Sequence, residues 1–180
     1  ALDPRPIHYE GASRAGTAHS DIYSEMYPLL TEVDDHANGK TDNNYPYYGN
    51  TKGQPYFMCE YAHAMGNAVG NLQEYWDIIE NSRYGIGGCI WDWVDQSIFD
   101  AKDIKNGTTI VTEVKGEEAA HPAGLNKYHT GYDYPGPHQG NFVNNGLVAA
   151  DRAWSPELTE VKRVYQYIKF VSFDKASRTL

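Results

Sequence analysis

The chain has 180 residues and a formal net charge of −9, with 24 acidic residues against 15 Lys and Arg. That balance argues against nucleic acid or an anionic membrane as a partner, because both are met by a basic face, and no basic run of five or more occurs. No apolar run reaches the roughly 18 residues of a membrane-spanning helix, and no secretory or lipidation signal is recognised, so the compartment is left open.

In chain order, "RPIHYE" (5–10) reads as the first strand, followed by a small-residue loop. "DIYSEMY" (21–27) reads as a second strand ended by Pro28, with a short helix over 29–36 behind it. The polar stretch 37–54 reads as a turn-rich loop. "PYFMCE" (55–60) is the third strand. The clearest helix is "NLQEYWDIIENS" (71–82), where Leu72, Tyr75, Trp76 and Ile79 fall on one stripe at i, i+3, i+4 and i+7. Asn71 reads as its N-cap and Gly85 as its stop. "GIGGCIWDWVDQS" (85–97) is a glycine-led fourth strand.

The polar run from Asp100 to Gly140 reads as a long loop, a length that in compact domains goes with function or disorder. A last helix is predicted in "SPELTEVKRVYQYI", with Ser155 as cap and Pro156 at its first position. "YIKFVSF" (167–173) then alternates like a strand. Cys59 and Cys89 are too few for a disulfide framework and match no zinc spacing, and both read as buried free thiols. The 15 Tyr and 4 Trp residues read mostly as core and surface; Tyr and Trp can also line a sugar site, with an apolar face and a polar edge.

Four strands, each followed by a loop or helix, predict an α/β chain with parallel pairing. Polar groups gather at the C-terminal ends of these strands: Tyr9 and Glu10, Glu25, Glu60, then Trp91 and Asp92. A (β/α)8 barrel carries its chemistry on that face, but a whole barrel needs about 250 residues. The expected fold is therefore a partial TIM barrel. Glu60 is the sharpest signal: a carboxylate ending an apolar strand costs free energy unless something satisfies or uses it.

"CEYAHAMGN" (59–67), "WDWVDQS" (91–97), "RPIHYEG" (5–11) and "NNGLVAADR" (144–152) together resemble family 2 glycoside hydrolases, and more narrowly the β-galactosidases among them. The His-Ala-Met-Gly-Asn extension points to that branch. The resemblance implies barrel strands five to eight over residues 1–165, and a linker with the first strand of a following β domain over 166–180. It implies a retaining hydrolase acting on terminal β-D-galactosides, with Glu60 as nucleophile and Tyr9 as the phenol beside it. His63, Trp91 and Asn145 are implied to bind the sugar. A monovalent cation, Na⁺, is implied at the Phe142 carbonyl and the Asn145 side chain, through hard oxygen ligands.

In that family the acid/base glutamate follows an Asn upstream of the "RPIHYEG" strand, and no Asn-Glu pair occurs in this chain. The Mg²⁺ ligands are likewise implied to lie outside it. The chain is thus expected to be a fragment, inactive alone, that self-associates or pairs with the missing half of a barrel. Competing readings are an exo-glycosidase for another β-linked sugar, a sugar-binding or interaction module with an idle site, and a metal hydrolase using His8 and Glu10. A substrate panel, galactose titration and a metal scan separate these.

Overall fold

The computed structural model describes residues 3–14, 19–40, 53–99, 128–133, 135–150, 152–170, 172 and 174–178. Its centre is a three-stranded parallel sheet in the order β1 (Tyr23–Met26), β2 (Tyr56–Tyr61), β3 (Gly85–Ile90). Two crossovers make this order. α2 (Leu30–Ala37) lies between β1 and β2, and α3 (Leu72–Asn81) between β2 and β3. This is part of a TIM-barrel-type layout and not a closed barrel. Among the described residues no helix is long and apolar enough to cross a membrane.

The predicted stripe on α3 packs as expected at Leu72 and Ile79, both buried, with Tyr75 and Trp76 resting against the same core. Tyr56 and Met58 of β2, Val33 of α2 and Val164 of α4 (Pro156–Val164) are fully buried. Each such apolar side chain contributes about 1.5–3 kcal/mol over its exposed state. The Trp76 ring stacks on Tyr165 at 4.5 Å, and the Tyr165 and Tyr61 hydroxyls share a hydrogen bond, which ties the end of α4 to the end of β2.

Several expectations need correction. Residues 5–9 form no strand, and α1 (Glu10–Arg14) starts where the strand was predicted to end. Pro4 and Pro6 remove alternate N–H donors, and the segment is tied at Ile7 to the stretch before β1: the Asp21 amide donates to the Ile7 carbonyl and the Ile7 amide to the Asp21 carboxylate, both at 2.8 Å. The four expected strands are therefore three in this sheet. Among the described residues of 167–173 there is no strand: Tyr167, Ile168 and Phe170 are exposed, and Lys169 pairs with Glu80 of α3 at 3.0 Å. Val171 and Phe173 lie outside the described residues.

Asn71 does precede α3, but at φ 58° its side chain makes no cap bond, because capping needs extended backbone there. Ser155 precedes α4 in extended backbone, yet its hydroxyl donates to the Leu147 carbonyl at 2.7 Å rather than capping the helix. Both cysteines are free as expected, but Cys59 is half-buried and Cys89 exposed.

Most of the predicted 100–140 loop lies outside the described residues. Its base is closed by an antiparallel pair, β4 (Ile98–Phe99) against β5 (Tyr128–His129). Beyond it, a 3-10 turn at Gly140–Val143 leads to a segment that zips along the chain leaving β3. The amide of Asp92 donates to Asn145, Leu147 to Asp92 and Val148 to Trp93, at 2.7, 2.9 and 3.0 Å.

Candidate active site

The site is built at the C-terminal edge of the parallel sheet. Strict alternation along β2 would place Tyr56, Met58 and Glu60 on one face. The register does not allow it: Glu25 pairs with Met58 but Met26 with Glu60, so Cys59 is an extra residue in β2. Such a bulge re-aims the side chains beyond it. Tyr61 turns onto the buried face with Tyr56 and Met58, and Glu60 is left off that face, half-buried.

The group brought to Glu60 is Tyr27, the residue after β1. Its amide donates to the Glu60 carbonyl at 2.8 Å, which brings its phenol within electrostatic reach of the Glu60 carboxylate. Burial first, then the Glu60 carboxylate, then Asp92, push the Tyr27 phenol well above its ordinary value. It therefore stays protonated and remains a donor. Tyr27 holds φ 49° without being glycine, a conformation kept only when surroundings impose it.

Tyr9, singled out from the sequence for this position, is 67% exposed. Its ring instead curls over Gly11, where an added Cβ would sit 3.1 Å from the phenol oxygen. Sequence reading misses Tyr27 because Pro28 marks the strand's end and nothing more. The available signal is an aromatic leaving the C-terminal end of the strand next to the one that carries Glu60.

His63 lies between two rings, Tyr27 at 6.1 Å and Phe142 at 5.2 Å. Its Nδ1 accepts from the Met65 amide at 3.4 Å, which assigns the ring N–H to Nε2. That Nε2 is buried without a hydrogen-bond partner among the described residues. Trp91 leaves β3 half-buried, with its amide on the Tyr61 carbonyl at 3.0 Å and its carbonyl accepting from Ala64 at 2.7 Å. The Trp91–Asp92 peptide is cis. Asp92 accepts from the Trp93 amide and from Gln96, which holds the turn after the strand.

Asn145 is 1% exposed, and its Oδ1 has no hydrogen-bond partner among the described residues. Buried polar atoms are nearly always satisfied, and His63 Nε2 and Asn145 Oδ1 stand with Ser97 Oγ, Asn141 Nδ2 and Asn144 Nδ2 as buried atoms that have no hydrogen-bond partner among the described residues. No group of three or more His, Cys, Asp and Glu suited to a metal occurs among the described residues. A distinct apolar pocket of about 360 Å³, lined by Trp93, Trp154, Leu158 and Tyr165 among others, includes none of these site residues.

Residues 1–170 match the family model described as glycosyl hydrolases family 2, TIM barrel domain. The chain belongs to glycosyl hydrolase family 2. Similar curated proteins include a beta-galactosidase of Priestia megaterium, 35% identical over 174 residues and 96% of this chain. Others are Beta-galactosidase BgaC of Bifidobacterium adolescentis, 35% identical over 99% of the chain, and a beta-galactosidase of Streptococcus thermophilus, 34% identical over 98%. The chain spans only 14 to 16% of the length of these relatives. Among the predicted residues, Glu60 meets Tyr27 through the backbone, and the Tyr27, His63 and Phe142 rings follow one another. Trp91 and Asn145 are joined to neighbouring strand ends by backbone bonds at Tyr61 and Asp92, and Tyr9 lies exposed over Gly11.

Proposed function

We propose that this chain supplies the nucleophile side of a retaining β-galactosidase, as part of a longer enzyme whose acid/base glutamate lies outside it. The observation that carries the reading is Glu60, turned off the packed face of β2 at the C-terminal edge of the sheet and tied through its carbonyl to the Tyr27 amide. The substrate class is terminal β-D-galactosides, in keeping with the names of the relatives.

In this mechanism a Glu60 oxygen bonds to the anomeric carbon. The glycosidic electron pair leaves on the departing oxygen, which takes a proton from the second carboxylic acid. Water, deprotonated by that same group, then attacks the anomeric carbon and returns the glutamate. The two carboxyl groups of such enzymes stand about 5–5.5 Å apart. Tyr27 orients the attacking oxygen. The Nε2–H of His63 donates to a sugar hydroxyl, and Trp91 lies under the apolar face of the ring.

The Asn145 Oδ1, buried and lacking a partner among the described residues, suits a Na⁺ ion, with the Phe142 carbonyl as a second oxygen donor. When bound, that ion would supply a fixed positive charge to a sugar hydroxyl. Mg²⁺ belongs to the rest of the enzyme. Residues 1–165 are read as barrel and 166–180 as the approach to a following β domain. Labelling the full-length enzyme with an activated 2-deoxy-2-fluoro-galactoside and mapping the modified peptide tests the reading. The ester is expected on Glu60; an ester on any other residue refutes it.

A further inference from the structure

We propose that Glu25, a buried carboxylate that takes no part in the chemistry above, is a positioning residue acting on Glu60 through Tyr27; the inference rests on Glu60 being the nucleophile. Glu25 is 8% exposed on β1. Its Oε1 lies 2.8 Å from His36 Nδ1 of α2 and accepts the Tyr23 hydroxyl at 3.1 Å, while its Oε2 accepts the Tyr56 hydroxyl of β2 at 3.0 Å. Three elements thus converge on one side chain. Tyr56 is fully buried, Tyr23 and His36 nearly so, and their rings pack edge-on or stacked 5.2 to 6.1 Å apart.

The ionisable groups facing Glu25 are Tyr23 from its own strand, Tyr56 from β2 and His36 from α2. Glu32 of α2 acts on Tyr56 at longer range, and the Cys59 thiol donates to the Glu25 carbonyl at 3.3 Å. Burial, with the Glu25 charge behind it, holds the Tyr56 phenol far above its ordinary value, so it remains a donor.

What this anchor controls lies two residues on. The register slips between Glu25 and Met26, and the extra residue opposite is Cys59, whose thiol bonds Glu25 itself. Tyr27 comes next, with its amide on the Glu60 carbonyl. The Tyr27 side chain is 44% exposed, so its packing does not aim it; its direction is set by a backbone at φ 49°. The fixed point of that backbone is the Glu25 cluster. Loosening it should leave substrate binding nearly intact and misplace the phenol, lowering kcat rather than raising KM.

The test is a double-mutant cycle in the full-length enzyme, measuring nitrophenyl-galactoside turnover. Glu25→Met keeps volume and removes the acceptor; Tyr56→Phe removes one oxygen and carries the cycle if the first variant does not fold. Glu25→Met is expected to lower kcat about tenfold and Tyr56→Phe about threefold, with KM within about twofold. In a Tyr27→Phe background both effects should shrink below about twofold. Equal losses in both backgrounds, or a lowered melting point with unchanged kcat, would mean a purely structural role and overturn the proposal. Tyr27→Phe without effect overturns it too, while the fluorosugar ester on Glu60 still judges the nucleophile separately.

Discussion

Sequence and structure nominate different tyrosines for Glu60, and two single-atom deletions decide between them. Tyr27→Phe removes the phenol that feels the Glu60 charge and that, on the proposed mechanism, donates to the attacking carboxylate. A hydrogen bond to a charged group is worth about 1.5–3 kcal/mol. Because Tyr27 is 44% exposed, water replaces part of that bond, and about half of it survives as a loss, roughly 0.75–1.5 kcal/mol. At 1.36 kcal/mol per factor of ten, kcat should fall about 4- to 13-fold. Tyr9→Phe, at a ring two-thirds in solvent and lying over Gly11, should change kcat by less than about twofold. The assay is steady-state hydrolysis of lactose and an aryl galactoside by the full-length enzyme. A larger loss from Tyr9→Phe than from Tyr27→Phe would refute the geometric assignment.

Two further outcomes concern stability. A Cβ at Gly146 would lie 2.1 Å from the Asp95 amide nitrogen and 2.4 Å from the Val94 carbonyl carbon. Gly146→Ala should therefore destabilise by about 3 kcal/mol or more, since backbone rather than a mobile side chain must yield, and a urea midpoint within error of wild type would contradict this. The Tyr27, Tyr56, Tyr61 and Tyr165 phenols are all pushed above the ordinary value of 10.0, chiefly by burial. Their folded forms keep protons that the unfolded chain loses, so this contribution is fully present below about pH 10 and lost as pH rises past it. Urea midpoints between pH 8 and 11 should fall steeply at the alkaline end, less so for Tyr56→Phe.

What the sequence discloses is local. The α3 stripe, the Pro156 start of α4 and the apolar run of β2 are set by near neighbours along the chain, and the structure bears them out; β3 forms where expected, but its Ile86 and Cys89 are exposed. The placement of Glu60 and Trp91 at strand ends follows from where each apolar run gives way to polar residues. Residues 5–9 fail as a strand because strand formation depends on a partner, and the two prolines leave few donors for one. The pairing of Tyr27 with Glu60 is hidden because it hangs on a register slip between strands about 30 residues apart. The diversion of the Ser155 hydroxyl to Leu147, and the meeting of Glu25 with His36, depend on how the chain folds back between them, which no periodic pattern reveals.

The neighbouring strand ends are joined by peptide atoms: Tyr27 to Glu60, Trp91 to Tyr61, Asp92 to Asn145. Such ties are indifferent to side-chain identity, so the residues at these strand ends can change while their spacing persists. Under the proposed mechanism, that leaves positions such as His63 and Phe142 free to vary without disturbing the frame around Glu60. Proline is the replacement these joints reject, because it alone removes the amide hydrogen on which each one depends.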